Sequence, residues 1–365
     1  MRAAVLREVG KPLAIEELEV EEPKTGEVGL KMVASGICHS DYSVAHGVLK
    51  TPLPCVLGHE GAGIIESVGP GVTHLEVGDH VIAVLSPSCD NCVMCNEGKP
   101  YLCAEMGKML NYSAMLDGTT RLRLKGDSIH QMAGIASFAE HTVVPAGAAI
   151  KVPKDVPLES VCLIGCGVTT GTGAALNTAD IVPGDSVAVV GCGGVGLSII
   201  QGARIAGAEI IVAVDPVPEK LDLAKSLGAT HGVDPSSQDP AKAVRAITGN
   251  GAHFSFEALG KIETIQIAFK MTRPTGTTVV VGMPSVRESL PLQVGSLFLE
   301  KKITGSAYGS AVPRRDVPKF IDYYRSGELK IDEMITKRIT LDEVNNAFDE
   351  MSRGEGARSV IVYDE

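Results

Sequence analysis

The 365-residue sequence has no excess of basic residues: 33 Lys and Arg stand against 44 Asp and Glu, a formal net charge of −11. Nucleic-acid binding depends on Lys and Arg neutralising phosphates, so that partner class is excluded. No stretch reaches the roughly 18 uncharged apolar residues of a membrane span, so no membrane partner is expected. The opening Met-Arg-Ala-Ala-Val-Leu-Arg-Glu lacks the apolar core of a secretory signal, and a cytoplasmic protein is expected. Internal repeats and low-complexity linkers are missing as well. Nine cysteines are an odd number, which disfavours a complete disulfide framework. In a reducing compartment they read better as metal ligands or small buried side chains.

What is present is ordinary for a folded chain: 44% hydrophobic and 21% charged residues, with 41 glycines for tight turns and close backbone approaches. The length exceeds what one hydrophobic core supports, so at least two domains are expected. Residues 1–160 read mostly as short alternating strands broken by Gly and Pro, for example 61–68 and 77–84, a barrel-like β pattern. From Ser186 the pattern becomes buried strand (186–190), glycine turn and helix (194–206), then strand again (209–214). This predicts a parallel sheet. It continues through a helix at 219–227, a strand at 254–258, a helix at 263–271 and a strand at 277–281, and stops near Gly305. Helices at 317–326 and 341–351 and a last strand at 359–363 follow.

Cys89, Cys92, Cys95 and Cys103 fall in a segment rich in Asn, Gly and Pro that can fold around an ion. Four thiolates close a tetrahedron with no open position, so a structural zinc fits best. An iron–sulfur cluster, which also takes four Cys, is the competing reading. Four unrelated core cysteines fit poorly with so polar a loop.

A second set is less obvious. Cys38 lies in Gly36-Ile37-Cys38-His39-Ser40-Asp41, His59 in Gly58-His59-Glu60-Gly61, and Cys166 in Gly165-Cys166-Gly167. Two thiolates and one imidazole leave a fourth tetrahedral position open, which is how a catalytic zinc differs from a structural one. Taken singly, each is more often a packed side chain than a ligand. Asp41 and Glu60 are close enough in sequence to orient His59 or to approach the metal from behind.

Gly191-Cys192-Gly193-Gly194-Val195-Gly196 follows one predicted strand and opens one predicted helix, the context in which Gly-x-Gly-x-x-Gly marks a dinucleotide site. Gly191, Gly193, Gly194, Val195 and Gly196 would bring the backbone to a pyrophosphate at the helix N-terminus. Asp215 ends the next strand, 24 residues after Gly191. A carboxylate there accepts hydrogen bonds from ribose hydroxyls and repels a 2′-phosphate, so NAD is expected over NADP. Lys220 is a candidate ribose contact, against the plainer reading of an exposed helix lysine. Cys192 reads as packing.

These motifs occur in one order, and the chain resembles the zinc-containing medium-chain alcohol dehydrogenases over essentially its whole length, in a long form like that of classes I and III. The resemblance implies an α/β protein: a GroES-like β-barrel catalytic domain with the structural-zinc lobe (1–167), a doubly wound Rossmann NAD-binding domain (168–308), and a C-terminal return to the catalytic domain (309–365). The active site would lie in the cleft between the domains, with NAD and two zinc ions per chain. It further implies that His39 and Arg358 contact the pyrophosphate, that Thr170 packs on the nicotinamide, and that Val281 and Gly282 lie along it. The stretch 105–126 resembles a segment kept in dimeric branches, which implies a homodimer.

The expected reaction is reversible hydride transfer between a primary alcohol and NAD through a zinc-bound alkoxide, with Ser40 passing the proton outward. Many members of the family carry a His three residues after this Ser; here the position is Ser43, and the next His is His46. External buffer bases are therefore expected to assist turnover. The pocket positions Leu49, Leu85, Met132, Ala133, Met283 and Ala307 are all apolar and several are small, which suggests bulky aliphatic or aromatic alcohols. The glutathione-dependent formaldehyde branch uses an Asp and an Arg where this chain has Leu49 and Gly107, so that substrate is disfavoured. A formaldehyde or polyol dehydrogenase on the same scaffold is the alternative, and a non-catalytic dinucleotide-binding protein is the remaining one.

Overall fold

Alternation of apolar and polar residues puts one face of each early strand into a core. The ten-residue strand Glu27–Gly36 pairs antiparallel with Glu60–Val68, His141–Pro145 and Arg358–Val362, within a seven-stranded sheet. A six-stranded sheet containing Arg2–Leu6 and Asp127–Gln131 accompanies it. Leu6, Leu30, Met32, Ile65 and Phe138 share one buried cluster, each such side chain contributing about 1.5–3 kcal/mol by leaving water. The computed structural model describes residues 1–85, 87–285 and 287–364. They form two compact units: Met1–Cys166 with Val312–Arg325 and Ile331–Glu365, and Gly167–Ala311 with Ser326–Lys330.

Those bounds differ from the expected 1–167, 168–308 and 309–365. The short segment Ser326–Lys330 groups with the second unit, where Lys330 donates its backbone N–H to Gln201 Oε1 at 2.7 Å and accepts from Gln201 Nε2 at 3.3 Å. The final strand belongs to the first unit because Arg358–Val362 hydrogen-bonds to Glu27–Gly36. A strand that the sequence reading did not include, Ile335–Ile339, pairs parallel beside it.

The second unit is a parallel sheet in the order His231–Val233, Ile210–Val214, Ser186–Val190, Ala252–Glu257, Thr272–Val280, Lys302–Gly305. Every residue of Ser186–Val190 is buried, as a central strand covered on both faces requires. The helices Gly194–Ile205, Pro218–Ser226 and Ile262–Met271 lie within a few residues of their expected positions. The helix Pro240–Thr248 went unpredicted, although Asp239 caps it by accepting from Ala241 N and Lys242 N and Pro240 occupies its first turn. The helix expected at 317–326 begins earlier, at Pro313, and runs to Arg325 with Pro318 inside it. Among the described residues no helix is long and apolar enough to cross a membrane.

Candidate active site

In the first unit, Cys38 follows the strand Glu27–Gly36 and caps the short helix His39–Ala45 from an extended backbone. His59 follows Gly58, whose φ of +90° suits glycine and where a Cβ would meet Phe138 N at 2.5 Å. Cys166 ends the first segment of this unit just after Gly165, where a Cβ would come within 2.6 Å of Ala83 O. These tight turns bring one donor atom each of Cys38, His59, Glu60 and Cys166 within 4.8 Å of one another, all buried.

Asp41, fully buried, organises the set. One carboxylate oxygen accepts Cys38 N at 3.0 Å; the other accepts Gly58 N at 3.1 Å and lies 2.9 Å from His59 Nδ1. Engaging Nδ1 leaves His59 Nε2 as the nitrogen that a metal would take. Burial opposes a charged His59, but the Asp41 carboxylate and the Cys38 thiolate outweigh it and hold its pKa well above the ordinary value. A shared hydrogen bond with Cys166 pulls the Cys38 thiol well below its usual range, against burial, with help from His59. The same shared bond and burial push Cys166 up. Two thiols and an imidazole are donors that bind a divalent cation with release of their protons. The residues therefore fit zinc, with Glu60 as a fourth donor within reach.

Glu60 belongs to this cluster and is itself ion-paired. Burial pushes its carboxyl up to about 7 although Arg358 opposes the shift. The Arg358 guanidinium is ion-paired to Glu60, and its buried Nε has no hydrogen-bond partner among the described residues. Glu60 keeps Arg358 charged in spite of burial. The residue expected at a pyrophosphate is thus anchored on the carboxylate expected behind the metal, with one donor atom left over. Ser40 Oγ lies 3.8 Å from Cys38 Sγ. His39 is exposed at the start of the same helix, with its ring 5.4 Å from that of Tyr42. His46 stacks on Tyr42 at 3.9 Å and its Nδ1 lies 2.9 Å from Tyr42 O, while Ser43 is half-buried.

The four lobe cysteines also converge, with Cys89, Cys92, Cys95 and Cys103 within 4.8 Å of one another. Cys92 N donates to Cys89 Sγ at 3.4 Å, and backbone N–H groups of Ala104 and Cys95 draw the Cys92 thiol down to about 6. Burial and the neighbouring Cys92 and Cys103 sulfurs push Cys95 up to about 12. The set is closed.

In the second unit the glycine turn joins Ser186–Val190 to the helix Gly194–Ile205. Gly191 has φ +92°, and a Cβ on Gly196 would overlap Gly191 O, so both positions need glycine. Among the described residues no side chain caps the helix, which leaves its first N–H groups for an anion. Gly193, Gly194 and Val195 are half-buried along the turn. Asp215 ends Ile210–Val214 and is buried, accepting Cys192 N at 2.8 Å and Val217 N at 3.0 Å. Cys192 is fully buried, which fits packing. Lys220 is half-buried on the helix Pro218–Ser226, and Thr170 is half-buried in the helix Gly167–Gly173. Val281 N and Gly282 N both donate to Glu257 O, at 2.8 and 2.9 Å.

The expected pocket residues divide. Leu49 and Leu85 are half-buried against the same apolar cluster that contains Met132 and Ala133. Met132 is 8% exposed and Ala133 only 2%, so Leu49 and Leu85 offer most of that wall. Met283 and Ala307 belong to the other unit and are exposed there. Two functional features escaped the sequence reading: the pairing of Arg358 with Glu60, and the buried acid Glu257 at the end of Ala252–Glu257. An acid closing a strand that carries Phe254 and Phe256 was the available signal for the second.

Comparison with known proteins follows the same division. The alcohol dehydrogenase GroES-like domain family matches residues 24–154, and the zinc-binding dehydrogenase family matches 194–326. Alcohol dehydrogenase class-3 of Drosophila melanogaster is 41% identical, over 99% of this chain and 97% of that one. The chain belongs to the zinc-containing medium-chain alcohol dehydrogenases. Within the family, S-(hydroxymethyl)glutathione dehydrogenase of Paracoccus denitrificans is 39% identical over 99% of both chains. The crystal structure of benzyl alcohol dehydrogenase from Acinetobacter calcoaceticus superposes with a TM-score of 0.95 at 35% identity, covering 100% of this chain and 99% of that one.

Proposed function

We propose that this chain is an NAD-dependent dehydrogenase of bulky aliphatic or aromatic primary alcohols, working reversibly at the Cys38, His59 and Cys166 centre. The observation that carries the reading is the donor set itself: buried atoms of Cys38, His59 and Cys166 converge with His59 braced by Asp41, while the fourth donor in reach, Glu60, is ion-paired to Arg358 and so leaves its position to substrate. Zinc bound there would act as a Lewis acid and ease loss of the alcohol's proton. Asp41 fixes the His59 ring, and Ser40, beside Cys38, takes the hydroxyl proton toward solvent. Because position 43 is Ser, buffer bases accept that proton in place of a His on the helix. Gly191, Gly193, Gly194, Val195 and Gly196 receive the pyrophosphate, with His39 and the free Arg358 Nε as further donors. Asp215 binds the adenosine ribose and disfavours a 2′-phosphate; Thr170, Val281 and Gly282 flank the nicotinamide.

The apolar wall at Leu49 and Leu85 supports bulky substrates, and so does the likeness to a benzyl alcohol dehydrogenase. A second reading, oxidation of a glutathione–formaldehyde adduct, draws on the relatives of that name. Leu49 and Gly107 offer that anionic thiol no charged partner. The test is a panel of benzyl alcohol, octanol, ethanol and S-(hydroxymethyl)glutathione with added NAD, repeated with an artificial electron acceptor and no NAD. The highest kcat/KM is expected for benzyl alcohol or octanol, dependent on added NAD. A preference for ethanol or for the glutathione adduct would contradict the pocket assignment. A homodimer fits the bulky apolar residues Val294, Leu297, Phe298 and Leu299, exposed just before the edge strand Lys302–Gly305.

A further inference from the structure

Glu257 is a fully buried carboxylate at the carboxyl end of a central parallel strand. Burying an ionisable acid is costly unless its oxygens are satisfied, and here they are satisfied by neutral donors of the loop that follows and of the first turn of the helix Ile262–Met271. One oxygen accepts Leu259 N at 2.9 Å, Gly260 N at 2.8 Å and Thr264 Oγ1 at 2.7 Å; the other accepts Gly260 N at 3.0 Å. The loop so gripped touches two others at the same edge of the sheet. A Cβ on Gly191 would come within 2.7 Å of Leu259 Cγ, and one on Gly260 within 2.6 Å of Met283 O. A Cβ on Gly282 would overlap Gly260 N. The backbone oxygen of Glu257 meanwhile holds Val281 N and Gly282 N. One residue therefore ties together the loops after Ser186–Val190, Ala252–Glu257 and Thr272–Val280, at the carboxyl ends of the strands where open α/β sheets bind ligands.

We infer that Glu257 is a positioning residue for the nicotinamide end of the cofactor: its carboxylate fixes residues 258–260 as the floor on which Val281 and Gly282 present a flat ring surface. The inference rests on the dinucleotide reading above. The adenosine end is held by different groups, the glycine turn and Asp215, so loosening this floor costs alignment of the ring more than total affinity. Misplacement of reacting groups by about 1 Å is enough to cost about a hundredfold in rate.

The experiment uses the full-length, zinc-loaded protein with Glu257→Ala and Glu257→Gln. ADP-ribose, which lacks the nicotinamide, reports the adenosine end by calorimetry. Emission of bound NADH reports the ring, and kcat with benzyl alcohol reports alignment. Glu257→Ala is expected to leave the ADP-ribose dissociation constant within about twofold while kcat falls about ten- to a hundredfold and the emission of bound NADH moves toward that of free NADH. Glu257→Gln, whose carbonyl can still accept from Leu259 N, Gly260 N and Thr264, is expected to recover most of both signals. Parallel weakening of ADP-ribose and NADH would overturn the inference, as would wild-type emission and kcat in Glu257→Ala. If Glu257→Ala does not fold, Thr264→Val decides, a partial emission change supporting the inference and none overturning it. Wild-type protein that binds neither ADP-ribose nor NADH refutes the dinucleotide reading itself, and this inference with it.

Discussion

Replacing Asp41 tests how far a residue that is not itself a ligand sets the metal centre. Its carboxylate meets three buried partners: Cys38 N, Gly58 N and His59 Nδ1. In Asp41→Ala all three lose their acceptor. Each orphaned buried donor costs about 1–3 kcal/mol, so the sum is about 3–9 kcal/mol. That is comparable with the ~5–15 kcal/mol that holds a typical domain folded, and this variant is expected to be unstable or insoluble. Asp41→Asn is the sharper probe. Its carbonyl keeps the Gly58 and His59 contacts, while its amide faces the Cys38 N–H and loses one charge-assisted bond, about 1.5–3 kcal/mol. The centre should then bind zinc about 10- to 100-fold more weakly, with the four-cysteine site unaffected. The assay is zinc retained per chain against increasing chelator, by elemental analysis. Asp41→Asn releasing its first zinc at the wild-type chelator concentration would refute the reasoning.

Two further outcomes are expected. Cys103→Ser removes a thiolate from the closed lobe, so one zinc is lost and the thermal midpoint falls, while the ranking of alcohols by kcat/KM stays unchanged; a changed ranking would give the lobe a role in specificity. His253 Nδ1 accepts from Ser186 N at 3.0 Å and Ser186 Oγ at 2.7 Å, and burial and Arg273 lower its pKa although Asp185 opposes them. The neutral ring is thus favoured in the folded state. Its contribution is full above the ordinary His value of about 6.5 and is lost as pH falls toward the lower folded value. Denaturant unfolding of wild type and His253→Gln should show their stability difference shrinking on acidification; a difference that grows would reverse the sign.

Local spacing made much of this molecule legible. The turn from Gly191 to Gly196 and the four-cysteine lobe are short, and their chemistry depends on residues near one another in the chain. The pairing of Glu60 with Arg358, 298 residues apart, was invisible because it exists only once the last strand has hydrogen-bonded to Glu27–Gly36. The sequence suggested Asp41 as an orienter of His59 but not its grip on Cys38 N and Gly58 N, which depends on the turn that brings Gly58 beside the helix His39–Ala45. Apolar character alone could not separate pocket from core: Ala133 and Met132 pack into the same cluster that Leu49 and Leu85 only border. The helix Pro240–Thr248 was missed although its cap, Asp239 before Pro240, was in plain view.

On this reading Cys38, His59 and Cys166 hold the zinc that does the chemistry. The most direct test follows NADH formation from benzyl alcohol and zinc content together during chelation of the wild-type protein. About two zinc ions per chain are expected at the start, with activity falling in step with the first to leave and returning when zinc is restored. Undiminished activity after that zinc has gone, or a fully active protein with one zinc per chain, would contradict the account.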